Sequence, residues 1–94
     1  MAIVSFKDES LRQLLESRTP RNIPANVAAV LRRKLVVLDA ATILDDLRIP
    51  PGNRLEALKG NREGQHSIRI NDQYRLCFRW TEQGPEDVEF IDYH

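Results

Sequence analysis

The spacing of apolar residues changes once along this chain, and that change limits the architectures open to it. Before residue 48, Leu11, Leu14 and Leu15 recur at helical spacing, as do Val27, Val30, Leu31, Leu35 and Leu38. After Ile49-Pro50-Pro51-Gly52 the period falls to two. His66, Ile68 and Ile70 alternate with Gln65, Ser67 and Arg69, and Tyr74, Leu76, Phe78 and Trp80 alternate with Arg75, Cys77 and Arg79. A helical first half followed by a stranded second half predicts an α+β fold: two N-terminal helices packed on one face of an antiparallel sheet of about four strands.

Local signals set the boundaries. Asp8 can cap a first helix, which Thr19-Pro20 ends. Pro24 suits the first turn of a second helix that runs to about Leu38. Residues 41–47 add a short helical turn. Strands are expected at residues 3–6, 54–58, 64–70, 74–80 and 87–92, the last with Val88 and Phe90 pointing inward. The 94 residues, 41% of them hydrophobic, supply one modest core, so residues 1–94 read as a single domain. No stretch approaches the ~20 apolar residues of a membrane span. The N-terminus lacks the basic start and long apolar run of a signal peptide. The single Cys77 excludes an internal disulfide and fits a reducing, cytoplasmic setting.

The chain carries no net charge, but its charges are unevenly placed. Residues 1–47 hold seven Lys/Arg and six Asp/Glu. Residues 48–79 hold seven Lys/Arg against Glu56, Glu63 and Asp72, and residues 80–94 hold five acids and no Lys or Arg. A basic block followed by an acidic tail suggests a local positive site, not a surface that coats nucleic acid uniformly.

The hairpin shows where that site should form. If Ile68 and Ile70 share a face with Tyr74, Leu76 and Phe78, the connection is Asn71-Asp72-Gln73, and Arg69 opposes Arg75. Like charges directly across a strand pair are destabilising unless an anion lies between them. Glu56 on the neighbouring strand can supply that anion, making an Arg–Glu network on a solvated sheet face. A phosphate can supply it too, since arginine matches phosphate by bidentate hydrogen bonds. Lys59 and Arg62, in the loop before the hairpin, would extend a phosphate site along a nucleic-acid backbone. The sequence ends on Asp92-Tyr93-His94, which combines an acid, a phenol able to stack on a base, and an imidazole that titrates near neutrality.

The segment NRLEALKGNREGQHSIRINDQYRLCFRW, followed by VEFIDYH, resembles the HigB branch of the RelE-like toxins of type II toxin–antitoxin systems, the plasmid-maintenance killer proteins. The likeness runs through Ser5-Phe6-Lys7, the two helices, Leu58-Lys59-Gly60, Arg62-Glu63-Gly64, Ser67-Ile68, Tyr74-Arg75 and Asp92-Tyr93-His94. It implies a RelE-like fold and a ribosome-dependent endoribonuclease. Such an enzyme cleaves mRNA in the ribosomal A site by attack of the ribose 2′-hydroxyl on the adjacent phosphate, and that chemistry needs no metal or other cofactor. It also implies a HigA-like antitoxin with a helix-turn-helix domain, through which the pair would contact operator DNA as a corepressor complex, and no membrane partner.

By the same resemblance His94 is the main proton-transfer group, Asp92 orients it or shares the role, Tyr93 positions the base, and Arg75 holds the scissile phosphate. Lys59 and Arg62, with Arg69 and Arg79 beside them, would grip mRNA or rRNA. Some family members place a His in the strand where this chain has Glu56. Glu56 is therefore read either as a general base or as the salt-bridge partner of Arg75. A non-nucleolytic reading on the same scaffold is a ParE-like gyrase-binding toxin or a degenerate corepressor that only binds antitoxin. His66 is expected in the core or at a sheet edge, Cys77 as a packing residue and Trp80 in the core, and no cluster has metal-ligand spacing.

Overall fold

The computed structural model describes residues 2–92. Helix α1 spans Glu9–Leu15, and its cap is the expected one: the Asp8 carboxylate accepts from the Ser10 backbone N–H at 3.0 Å. It stops earlier than Thr19-Pro20. Ser17 adopts a left-handed φ of 70°, and the N–H groups of Ser17 and Arg18 close onto the carbonyls of Leu14 and Gln13. That is a Schellman ending with serine where glycine is usual. Helix α2, Ala25–Ala40, starts after Pro24 and buries Val27, Leu31, Leu35 and Leu38. A 3₁₀ turn, Leu44–Arg48, follows in the region expected to be helical.

The sheet has four antiparallel strands in chain order: β1 Glu56–Ala57, β2 His66–Arg69, β3 Tyr74–Thr81 and β4 Gly84–Asp92. The hairpin register is the one the alternation requires. Ile68 opposes Leu76 and Arg69 opposes Arg75. The Asn71 side chain accepts from the N–H groups of Gln73 and Tyr74, which shapes the three-residue turn.

Three strands depart from expectation. β1 is only two residues long because Arg54 closes a preceding 3₁₀ turn with a left-handed φ of 46°, a conformation no strand tolerates. β4 begins earlier, at Gly84. One extra residue on β4 between the Cys77 and Arg79 pairings makes a bulge, and Asp87 there has φ 53°. Ser5 inserts its hydroxyl at that bulge and accepts from the Asp87 N–H at 2.9 Å. The N-terminal segment consequently meets β4 through a single parallel bridge, Phe6 to Val88, in place of a regular strand.

The helices pack on the sheet face that carries Ile68, Ile70, Leu76, Phe78 and Val88, all at most 5% exposed, with Leu11, Leu14, Leu31 and Leu35 above them. Each such fully buried side chain contributes about 1.5–3 kcal/mol. Trp80 is half-buried at the edge of this core. None of the described helices is long and apolar enough to cross a membrane.

His66 lies on the core face as expected, half-buried, its ring 6.3 Å from that of Phe78. Its buried Nδ1 has no hydrogen-bond partner among the described residues. Burial, and secondarily the charge of Arg48, holds its pKa below the ordinary 6.5. The unfolded chain therefore binds this proton first, so stability is complete above pH 6.5 and is lost as pH falls toward the depressed folded value. His66→Leu is expected to flatten the stability curve in that window, which urea melts between pH 7.5 and about pH 5 would show. A curve unchanged by the substitution would contradict this assignment.

Candidate active site

The sheet face away from the helices differs from its sequence-based description. It was expected to be solvated. Ser67 and Cys77 are fully buried on it and Arg75 is 6% exposed. Arg62 closes over this face from the loop after β1. Its guanidinium donates to Glu89 of β4 at 2.9 Å and to the Gln65 side chain at 3.1 Å. The Arg62 contact holds the Glu89 carboxyl below the usual 4.5, and burial pushes the Cys77 thiol up, which suits a packing residue and not a nucleophile.

Arg75 reaches from β3 diagonally across β2 toward the open β1 edge. Its Nε donates to the Ser67 hydroxyl at 2.8 Å. One terminal nitrogen donates to the Arg54 carbonyl at 2.6 Å and to the Ser67 carbonyl at 3.4 Å. The left-handed turn at Arg54 is what aims that carbonyl back at the sheet. Glu56 stands 3.8 Å from the same nitrogen, with nearly half its side chain exposed. Hydrogen bonds to the neutral Ser67 and Arg54 groups thus help fix the guanidinium plane, and Glu56 is a looser, charged contact. Arg75 opposes Arg69 across the strand pair, and Arg69 pairs with Asp72 in the turn.

Beside Glu56 opens a groove of about 390 Å³, lined by Glu56, Ala57, Leu58, Lys59 and Arg62. Its walls are the short edge strand and the loop that returns at Gly64. Gly64 has φ +90°, so the return needs glycine, and the movable end of the Arg79 guanidinium lies against it. The groove thus carries Lys59 and the Glu89-paired Arg62 on its rim, with Glu56 in its wall and the buried Arg75 behind that acid.

The model of the RelE-like HigB toxins of type II toxin–antitoxin systems matches residues 4–94. The chain is 51% identical over 80 residues to "Toxin HigB-1" of Vibrio cholerae, covering 84% of each. It belongs to the HigB toxin family. It is also 30% identical over 92 residues to "Endoribonuclease HigB" of Proteus vulgaris, covering 98% of this chain and 99% of that one. A Haemophilus influenzae protein without an assigned role is 36% identical over 90 residues, 95% of this chain and 88% of that one. Membership in a toxin–antitoxin family implies an antitoxin partner.

On this HigB scaffold the residues singled out in the sequence separate into three groups. Glu56, Lys59 and Arg62 line one groove, and Arg75 touches Glu56. Arg69 and Arg79 lie elsewhere, the first on the turn acid Asp72 and the second against Gly64. Asp92 is paired with Tyr74 at the far edge strand and accepts from the Gln73 amide at 3.1 Å. By the pleat it shares the Tyr74 face, not the Arg75 face. Tyr93 and His94 lie outside the described residues. Sequence reasoning missed Ser67 and the Arg54 carbonyl, which hold Arg75. Ser67 was detectable as the small polar residue on the arginine face of β2. The Arg54 carbonyl had no sequence signal. Among the described residues no cluster could hold a metal ion.

Proposed function

We propose that this HigB-family toxin is an endoribonuclease that halts translation by cutting mRNA in the ribosomal A site. The observation that carries the reading is the buried, pre-oriented Arg75 behind a groove rimmed by Lys59 and Arg62. The name of the Proteus vulgaris relative supports the same chemistry. In the proposed reaction a base removes the proton of the ribose 2′-hydroxyl, and the oxygen attacks the adjacent phosphorus. The bond to the 5′-oxygen breaks, that oxygen takes up a proton, and a cyclic phosphate and a free 5′-hydroxyl remain.

Arg75 would stabilise the charge that develops on the phosphate, exchanging its 3.8 Å contact with Glu56 for phosphate oxygens while Ser67 keeps the guanidinium plane fixed. His94 would be the principal proton-transfer group, with Asp92 assisting and Tyr93 stacking on the base. The chain has no net charge and so few phosphate contacts to spend on free RNA. The ribosome would supply the missing affinity in the cytoplasm, and the toxin–antitoxin complex would act as corepressor on operator DNA.

The test is induction of the protein in a bacterial host, with mRNA 5′ ends mapped for the native chain, His94→Ala and Arg75→Ala. Codon-phased cuts that vanish in both variants are expected. Growth arrest with intact mRNA would transfer the reading to a gyrase-type, non-nucleolytic toxin.

A further inference from the structure

On the helical side of the molecule, opposite the groove, a second hollow of about 200 Å³ lies between the end of α1 and the first half of α2. Its floor is apolar, made by Leu14, Ala28 and Ala29, and its rim is Ser17, Arg18, Thr19 and Arg32. Arg32 donates from one terminal nitrogen to the Ser17 hydroxyl at 2.8 Å, while its Nε is buried with no partner among the described residues. A buried guanidinium N–H without an acceptor costs stability unless something else supplies one. The left-handed Ser17 is what turns Arg18 and Thr19 onto the rim. Glu16 reaches Arg18 at 3.9 Å, a loose exposed contact.

Apart from Glu16, the chain around the hollow is rich in cations. Residues 17–38 contain Arg18, Arg21, Arg32, Arg33 and Lys34 and no acid at all. A cationic rim around a small apolar floor does not fit an RNA backbone, which needs an extended cationic track. It fits a protein segment that offers a carboxylate beside an apolar side chain, and family membership supplies one protein that must hold this chain tightly. We propose that this hollow docks an acidic segment of the antitoxin. One apolar side chain would sit over Leu14 and Ala28, and a carboxylate would bridge Arg32 and Arg18. The inference rests on the family's antitoxin and not on RNA cleavage, so it stands or falls separately from the nuclease reading.

The test is calorimetric titration of the purified protein with its co-expressed antitoxin, at several salt concentrations, for the native chain and for Arg32→Gln, Arg18→Gln and Ala29→Trp. Each variant is expected to bind at least tenfold more weakly, the two arginine variants with a shallower salt dependence and Ala29→Trp, which fills the hollow, with an unaltered one. Arg18 and Ala29 are exposed, so their thermal midpoints should match the native chain and separate lost docking from lost folding. Affinity within twofold of native for all three variants would overturn the proposal. So would intact antitoxin binding with weakened ribosome binding, which would make the hollow an RNA contact.

Discussion

Arg75→Ala is expected to slow single-turnover cleavage of ribosome-bound mRNA by about 10²–10³-fold, or about 2.7–4 kcal/mol of transition-state stabilisation. The size follows from how the side chain is held. Its Nε is fixed on Ser67, and a terminal nitrogen is fixed on the Arg54 carbonyl. A charge held in place before the reaction needs little reorganisation when the phosphate becomes more negative. Arg75→Lys should not restore the rate, because an ammonium cannot hold Ser67 and Arg54 and face a phosphate in one plane. Ser67→Ala, which keeps the charge but releases its orientation, should fall between the native rate and Arg75→Ala. Both arginine variants will also lose stability, since the Ser67 hydroxyl is left buried and unpaired. Rates must therefore be read well below each variant's thermal midpoint. An Arg75→Ala protein that cuts within tenfold of native would remove Arg75 from the chemistry.

The hairpin carrying that arginine was legible because its evidence is local. Period-two alternation on both strands and an Asn71-Asp72-Gln73 turn admit one register, and the structure has it. The stripe Val27, Leu31, Leu35 and Leu38 was legible for the same reason at period 3.6. Alternation reports which side chains share a face, but not what later covers that face. Arg62 crosses to Glu89, 27 positions away, beside the buried Cys77, and no local pattern encodes that pairing. Arg69 and Arg75 show the same limit. Their opposition was readable, but the separate acids that relieve it, Asp72 and Glu56, are set by the turn and by the shortened β1. Charge counting failed for a simpler reason. Summed over residues 1–47, the acid-free stretch 17–38 is masked by the acids on either side of it.

The division of proton transfer between His94 and Glu56 gives the second large effect. His94→Ala is expected to reduce cleavage by about 10²–10⁴-fold, the range for a general acid or base. Glu56→Gln is expected to reduce it by less than about tenfold. Glu56 lines the groove, which makes it a candidate base, but it also stands 3.8 Å from the Arg75 guanidinium. A carboxylate in that position competes with the phosphate for the arginine. Binding the phosphate where Arg75 can use it would push Glu56 aside, and removing its charge would lower that competition, offsetting part of any loss. A group that moves a proton in the rate-determining step bends the pH–rate profile, so the native profile should show such a bend. That bend should disappear in His94→Ala and persist in Glu56→Gln. If Glu56→Gln instead costs as much as His94→Ala and abolishes the bend, the base is the strand carboxylate, and the C-terminal imidazole is left with protonating the leaving 5′-oxygen.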